Sequence, residues 1–169
     1  YVDDKQAALN GFYRVLKPGG RLSFFEPINR FSHSDNVHQL WGYDAVPVQA
    51  EAQKIRSVYQ ALQPVDTDPM LNFDEHDMFR MVCAAGFKHM GFRLEGEISQ
   101  RRPRSEPDAA IWDRMIHNAF NPKIPTLQEV MEQILDPDER SRFIEHMRSE
   151  IMTYEPSGRR AVLYLWAKK

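Results

Sequence analysis

The sequence predicts an α/β fold, and three observations predict it. A short amphipathic helix stops at Leu16-Lys17-Pro18-Gly19-Gly20 and leads straight into an apolar strand. A second helix stops at Ala84-Ala85-Gly86-Phe87 before another strand, and the run Arg160 to Ala167 closes the chain as a strand. The chain reads as one partial domain, 1–169, interrupted by helical insertions at about 28–72 and about 100–157.

In the first helix Ala8, Phe12, Val15 and Leu16 share one face, while Lys5, Asn10 and Arg14 lie elsewhere. Asp3 or Asp4 can cap its start. Lys17 suits the negative end of the helix, Pro18 blocks its continuation, and the glycine pair permits the positive φ of a tight reversal. Leu22, Phe24 and Phe25 then form a nearly continuous apolar run, the kind buried on both faces of a parallel sheet, and Pro27 stops it.

The stretch Ile28 to Tyr43 mixes aromatic and polar side chains without a period and reads as a functional loop. It leaves the carboxyl end of a strand, where open α/β sheets bind ligands. After it Pro47 can begin a helix in which Val48, Ala52, Ile55, Tyr59 and Leu62 repeat at helical spacing until Gln63-Pro64. Asp74 caps the helix carrying Met78, Phe79 and Val82, and Gly86 ends it. Phe87, Phe92, Leu94 and Ile98 supply the next strand, in which Gly91 and Gly96 mark bulges.

Three helix starts follow in the second insertion: Ser105 with Pro107 and Asp108, Thr126 with Glu129, and Asp136 with Pro137. Each offers a side-chain oxygen to helix amides ahead of a periodic apolar face. Such a cluster suits a lid over a ligand or a subunit interface.

The joined run Lys5 to Pro27, KQAALNGFYRVLKPGGRLSFFEP, resembles the fourth-helix and fifth-strand unit of the class I S-adenosylmethionine-dependent methyltransferases. The Phe73 to Phe87 segment and the closing Arg160 to Ala167 strand resemble that family's later elements in the same order. The resemblance implies the carboxyl-terminal half of a Rossmann-like methyltransferase fold: a helix-strand unit, a further helix and an antiparallel terminal strand pair, with two helical insertions. It implies S-adenosylmethionine as cofactor and a small-molecule methyl acceptor.

The glycine-rich loop and the acidic residue that the family uses for the cofactor have no counterpart here, so only Tyr1 and Val2 are expected to touch its edge. The chain opens on Tyr1 without a methionine, which reads as a truncated or processed product, inactive in isolation. A sheet edge left open in this way predicts a homodimer, or an amino-terminal half on another chain.

In-line attack on a sulfonium methyl needs positioning more than side-chain chemistry. If the acceptor must lose a proton, His33 and His38 are the candidate catalytic bases, with Glu26 at the strand tip a further option. Ordinary surface positions remain the alternative for both histidines. Glu26, Asn29 and Arg30 are candidate acceptor-binding residues, and Trp41 and Tyr43 offer flat apolar walls unless they pack into a core. A non-catalytic ligand-binding or dimerisation module is the alternative function, and a cofactor pocket assembled across two chains is a third reading.

With 42% hydrophobic and 27% charged residues the chain has the balance of a globular domain. A net charge of −2 disfavours nucleic acid as partner, and Arg101-Arg102-Pro103-Arg104 reads as a solvated loop. No apolar run is long enough for a bilayer, so no membrane partner is expected. Cys83, the single cysteine, sits in an apolar stretch as a small core residue. Without a partner in the chain it points to a reducing, cytoplasmic setting. The six histidines have no paired metal-ligand spacing, so no metal site is expected.

Overall fold

The computed structural model describes residues 2–34, 36–106, 108–119 and 121–169. In chain order its elements are α1 (Lys5–Val15), β1 (Arg21–Pro27), α2 (Asn29–Ser32), β2 (Gln39–Leu40), β3 (Tyr43–Asp44), α3 (Gln49–Leu62), α4 (Glu75–Ala84), β4 (Lys88–Ser99), β5 (Arg102–Pro103), α5 (Ile111–His117), α6 (Leu127–Ile134), α7 (Pro137–Thr153), β6 (Tyr154–Glu155) and β7 (Gly158–Lys168). They divide into two compact units. The first comprises Tyr1–His33, Pro64–Ile98 and Arg159–Lys169, and the second comprises Ser34–Gln63 and Ser99–Gly158.

The first unit is a three-stranded sheet in the order β1-β7-β4, with α1 and α4 packed side by side. β1 and β7 run antiparallel, Arg21 opposite Lys168 and Pro27 opposite Val162. Asp4 caps α1 by accepting the Ala7 N–H at 2.8 Å. Of the glycine pair, Gly19 takes the positive φ (77°), and its N–H reaches the Lys169 carbonyl. The core gathers Leu9, Ile28, Phe73, Met78, Val82 and Phe87 against Ala161, Leu163, Leu165 and Ala167.

Two sequence expectations change in this unit. On α1 it is Leu9, Tyr13 and Leu16 that pack inward, whereas Phe12 and Val15 are exposed, because the helix rolls to meet α4 through Gln6 and the Phe87 ring that follows α4 through Tyr13. β1 is buried on one face only. Leu22, Phe24 and Glu26 are half-buried and Phe25 is 63% exposed, since nothing among the described residues covers the other side.

Gly91 is a close-approach site. A Cβ there would meet the Trp166 indole at 2.5 Å, so the ring lies against the β4 backbone. Cys83 is exposed on α4 and not a core residue, because the inward face of that helix is taken by Met78 and Val82. The α4 start is reciprocal: Asp74 accepts the Asp77 N–H, and Asp77 accepts the Asp74 N–H.

The second unit is helical, with α3, α5, α6 and α7 around Trp112, Val130, Phe143, Met147 and Ile151. Reciprocal caps start α6 at Thr126 and α7 at Asp136. Ser105 does not cap α5. That helix starts after Ala110, and Asp108 accepts the Ala110 N–H instead.

The supposed aperiodic loop contains α2 and a two-residue hairpin, β2–β3, whose turn is Trp41-Gly42 with φ 52° and 84°. Both turn residues have the positive φ that such hairpins need. Two buried glutamates brace α3 and α7. Glu51 accepts from Arg142 (2.8 Å), and Glu150 accepts from Arg101 through both oxygens and from the Asp44 N–H (3.2 Å).

Candidate functional site

The candidate site in the first unit forms where the carboxyl end of β1 meets the amino end of α1. Glu26 lies on the inward side of β1, half-buried and opposite Leu163. Lys5, the first residue of α1, extends its Nζ to within 3.4 Å of Asn72 Oδ1 and 3.5 Å of the Val2 carbonyl, and 4.6 Å from the centre of the Phe73 ring.

Burial pushes the Glu26 carboxyl above its usual range, and the Lys5 charge opposes the shift. Burial also pulls the Lys5 ammonium down, against the field of Glu26, then Asp3 and Asp68. A carboxylate raised in this way is a better proton acceptor than an ordinary one. Carboxyl-carbon NMR is therefore expected to find Glu26 titrating above 4.5, and higher still in Lys5→Met, which removes the cation that favours ionisation. A Glu26 that titrates at or below 4.5 would sink this account of the site.

The chain continues from the strand through Ile28, buried, whose N–H donates to the Ala161 carbonyl at 2.9 Å. This anchor holds α2 beside the strand end. Asn29 is half-buried, and Arg30 is exposed and pairs with Asp66 at 3.1 Å. His33 follows α2, half-buried, with its carbonyl accepting from Arg159 at 2.6 Å. Glu26, Asn29, Arg30 and His33 thus belong to the first unit, as does Val2. Tyr1 lies outside the described residues.

His38, Trp41 and Tyr43 belong to the second unit. His38 is exposed on the chain leading into the β2–β3 hairpin, and its carbonyl accepts the Ala45 N–H at 2.9 Å. Trp41 meets Tyr59 edge-on at 5.8 Å. Tyr59 donates to the Pro125 carbonyl, and burial pushes its phenol up to about 12. Tyr43 is a core residue, 3% exposed. Burial raises its phenol pKa, and the neighbouring Arg104 guanidinium opposes that rise. Arg104 also donates to the Ile151 and Tyr154 carbonyls, closing the end of α7.

The second unit holds a recess of about 370 Å³ walled by Arg104, Ser105, Glu106, Asp108 and Glu155. Its lining is charged, and none of the expected acceptor residues is part of it. Among the described residues no group of three or more His, Cys, Asp or Glu side chains gathers as a metal site, and no helix is long and apolar enough to cross a membrane.

Sequence reasoning placed Glu26 from its position at the strand tip but missed Lys5, which precedes it by 21 positions. The signal available was a lysine in the first turn of a helix, where the dipole disfavours a cation.

Neither Val2 nor the recess of the second unit has the character of a nucleoside site. Val2 is exposed and its carbonyl already accepts from Lys5, while the recess of the second unit is walled by charge. A pocket for such a ligand is mainly apolar.

Among curated proteins, residues of this chain are 33% identical over 93 residues to the S-adenosyl-L-methionine-dependent Diels-Alderase iliD of Neonectria sp., covering 54% of this chain and 33% of that one. They are 35% identical over 98 residues to the ubiquinone/menaquinone biosynthesis C-methyltransferase UbiE of Ruegeria sp., covering 54% of this chain and 36% of that one. The chain thus spans about a third of the length of the curated relatives it matches. A solved Bacillus halodurans structure, described as that of a methyltransferase, aligns over 97% of this chain and 62% of its own at 19% identity. Its TM-score is 0.37, and no argument rests on it. The profile of the ubiE/COQ5 methyltransferase family matches residues 1–97, more than half of the sequence, and the chain belongs to that family.

Proposed function

We propose that this chain is the carboxyl-terminal part of an S-adenosylmethionine-dependent methyltransferase that methylates carbon on a small lipophilic acceptor. The observation that carries the reading is the family match over residues 1–97. The names of the UbiE relatives support a carbon acceptor and a lipophilic, quinone-like substrate class. The α1–β1 unit and the antiparallel β1–β7 pair support a Rossmann-like half-fold. The proposed setting is the cytoplasm.

The cofactor would supply an electrophilic methyl group. The part proposed for this chain is the acceptor side. Glu26 takes a proton from the acceptor, Lys5 holds the carboxylate side of that exchange, and Asn29 and Arg30 orient polar groups of the acceptor, with His33 as the second candidate base. His38, Trp41 and Tyr43 belong to the second unit and are assigned no part in this site.

The chain alone is proposed to be inactive. Calorimetric titration with S-adenosylmethionine and S-adenosylhomocysteine is expected to show no saturable binding. A chimera in which residues 1–97 replace the matched segment of the Ruegeria enzyme is expected to bind the cofactor and transfer label from it to an acceptor extract. Saturable binding by the chain alone would overturn the inactivity. A folded chimera that binds cofactor without transfer would overturn the catalytic reading and favour a non-methylating role.

A further inference from the structure

We propose that the outer edge of β4 is a homodimerisation edge, on which a second copy of this chain pairs antiparallel across Leu94. The sheet order β1-β7-β4 puts β4 at one end, and no strand pairs with its other side among the described residues. The carboxyl-terminal half-fold reading, on which this choice of edge rests, adds the earlier strands of the sheet beyond β1 and leaves β4 at the end.

Which backbone groups of β4 face outward follows from its register on β7. Ile28 donates to Ala161 and Lys169 donates to Gly20, so the odd-numbered residues of β7 bond to β1 and the even-numbered ones turn to β4. Gly91 lies against the Trp166 ring, Arg93 lies over Tyr164, and Glu97 pairs with Arg160. These three contacts fall in one antiparallel register, which sets odd-numbered residues of β4 opposite those even-numbered ones. The odd residues of β4 therefore bond inward, and the N–H and C=O groups of Met90, Phe92, Leu94, Gly96 and Ile98 point outward.

The strand is complementary to itself about Leu94. With Leu94 opposite the second copy's Leu94, the outward N–H groups of each copy meet outward carbonyls of the other. Arg93 then stands opposite the second copy's Glu95, and Glu95 opposite its Arg93. These are non-bonded positions, where cross-strand side chains come closest. Arg93 already reaches Glu95 of its own strand at 2.9 Å, so pairing joins two separate ion pairs into one cluster of four alternating charges. A slip of two residues in either direction sets Arg93 opposite Arg93 or Glu95 opposite Glu95, so the charges select the register.

The other face of the strand supplies the apolar part. Phe92, Leu94 and Ile98 are 52%, 43% and 77% exposed. In the Leu94 register Phe92 crosses to the second copy's Gly96, where no side chain competes with the ring, Ile98 meets Met90, and Leu94 meets its own copy. Phe79 of α4 stacks on Phe92 at 4.5 Å, so this face of β4 continues the apolar layer beneath α4. Charges on an edge strand ordinarily keep other strands away, and against an unrelated strand Arg93, Glu95 and Glu97 do so. Against a copy in this register Arg93 and Glu95 attract.

The test is the mass of the full chain in solution, by sedimentation equilibrium or light scattering over a working range of about 1–100 μM, the affinities expected for small interfaces. The expected mass is twice 19.8 kDa. Arg93→Glu sets glutamate opposite glutamate in both symmetric pairs and is expected to weaken the dimer roughly 30-fold. Arg93→Glu combined with Glu95→Arg restores the pairs within and between strands and is expected to return the dimer to wild-type strength. Both side chains are exposed, so the folded core is untouched in either variant.

Register is read by cysteine. L94C in a C83S background sets two thiols at the two-fold axis with Cα atoms about 5.5 Å apart, and is expected to cross-link on oxidation. I98C in the same background, whose counterpart lies at the far end of the paired stretch, is expected to stay free. A wild type that remains monomeric throughout, a dimer that Arg93→Glu leaves unchanged or that the double variant fails to restore, or I98C cross-linking as readily as L94C would overturn the proposal. None of these readouts depends on cofactor binding or methyl transfer. The methyltransferase reading fails or stands in the chimera, and the dimer edge in mass and cross-link.

Discussion

Gly42→Ala is expected to unfold the second unit more readily, by about 3 kcal/mol, although it adds one methyl group at a half-buried turn. Gly42 stands at φ 84°, where an alanine pays roughly 1 kcal/mol for the left-handed backbone. The larger cost is steric. A Cβ on Gly42 would lie 1.7 Å from the Ser157 carbonyl oxygen and 2.8 Å from its carbon, and these are backbone atoms that cannot rotate aside. Relief requires the hairpin and the 156–158 segment to separate. That breaks the bonds from the Ser157 N–H and hydroxyl to the Gly42 carbonyl (3.0 and 3.1 Å), worth about 1 kcal/mol each. Urea unfolding followed by tryptophan fluorescence would report it through Trp41, the preceding residue. A loss below about 1 kcal/mol would show that the close approach of turn and segment is not as described.

Leu163→Ala is expected to cost about 3 kcal/mol in the first unit, within the usual range of roughly 2–5 kcal/mol for emptying a packed leucine site. Leu163 is fully buried in the central strand β7, among Val82, Phe87 and Leu165. It also sits opposite Glu26, so its truncation admits water to the carboxyl. Burial raises the Glu26 pKa in the folded chain, so native stability is fully retained below the unfolded value of 4.5 and is lost as pH rises through the folded one. Hydrating the carboxyl removes that loss. The gap between wild type and variant should therefore be widest below pH 4.5 and narrow above the folded pKa. Denaturant melts of both proteins from pH 4 to 7 would check this, and a gap that widens with pH would contradict the desolvated Glu26.

The local chemistry of the chain was readable wherever a few adjacent residues decide the outcome. Asp4, Asp74, Thr126 and Asp136 all cap the helices that their positions foretold, and the Pro18-Gly19-Gly20 reversal delivers β1 at Arg21. The antiparallel terminal strand pair followed from resemblance and is present. What was not readable depended on distant partners. Which side of α1 packs is decided by α4, some 60 positions later, so Phe12 and Val15 look like core in the sequence and are exposed. The β2–β3 hairpin turns on Trp41-Gly42, and a tryptophan at positive φ is not a turn signal that composition offers. Ser105 carries the right side chain for a cap, but α5 begins beyond its reach.

Within the site, Glu26 was accessible to sequence reasoning because a strand's carboxyl end is a general ligand position. Lys5 was not, since only the return of β1 alongside α1 brings the lysine to the carboxylate. The candidate residues around the 28–43 stretch distribute between the two units for the same reason. A contiguous run of sequence crosses a unit boundary after His33.

The central position of β7 bears on how the first unit forms in time. Among the described residues the one strand paired with β1 begins at Gly158, so Arg21 waits for Lys168 with the whole second unit lying between them in sequence. Pairings between such distant residues are slow because the entropy of closing the intervening loop is lost before any contact rewards it. The second unit draws Ser99 and Gly158 together, and its folding shortens that loop. Until β7 arrives, α1, β1 and α4 have no central strand to pack on, and their apolar faces stay wet. Refolding should accordingly be biphasic, a fast helical phase followed by a slower one in which the sheet closes.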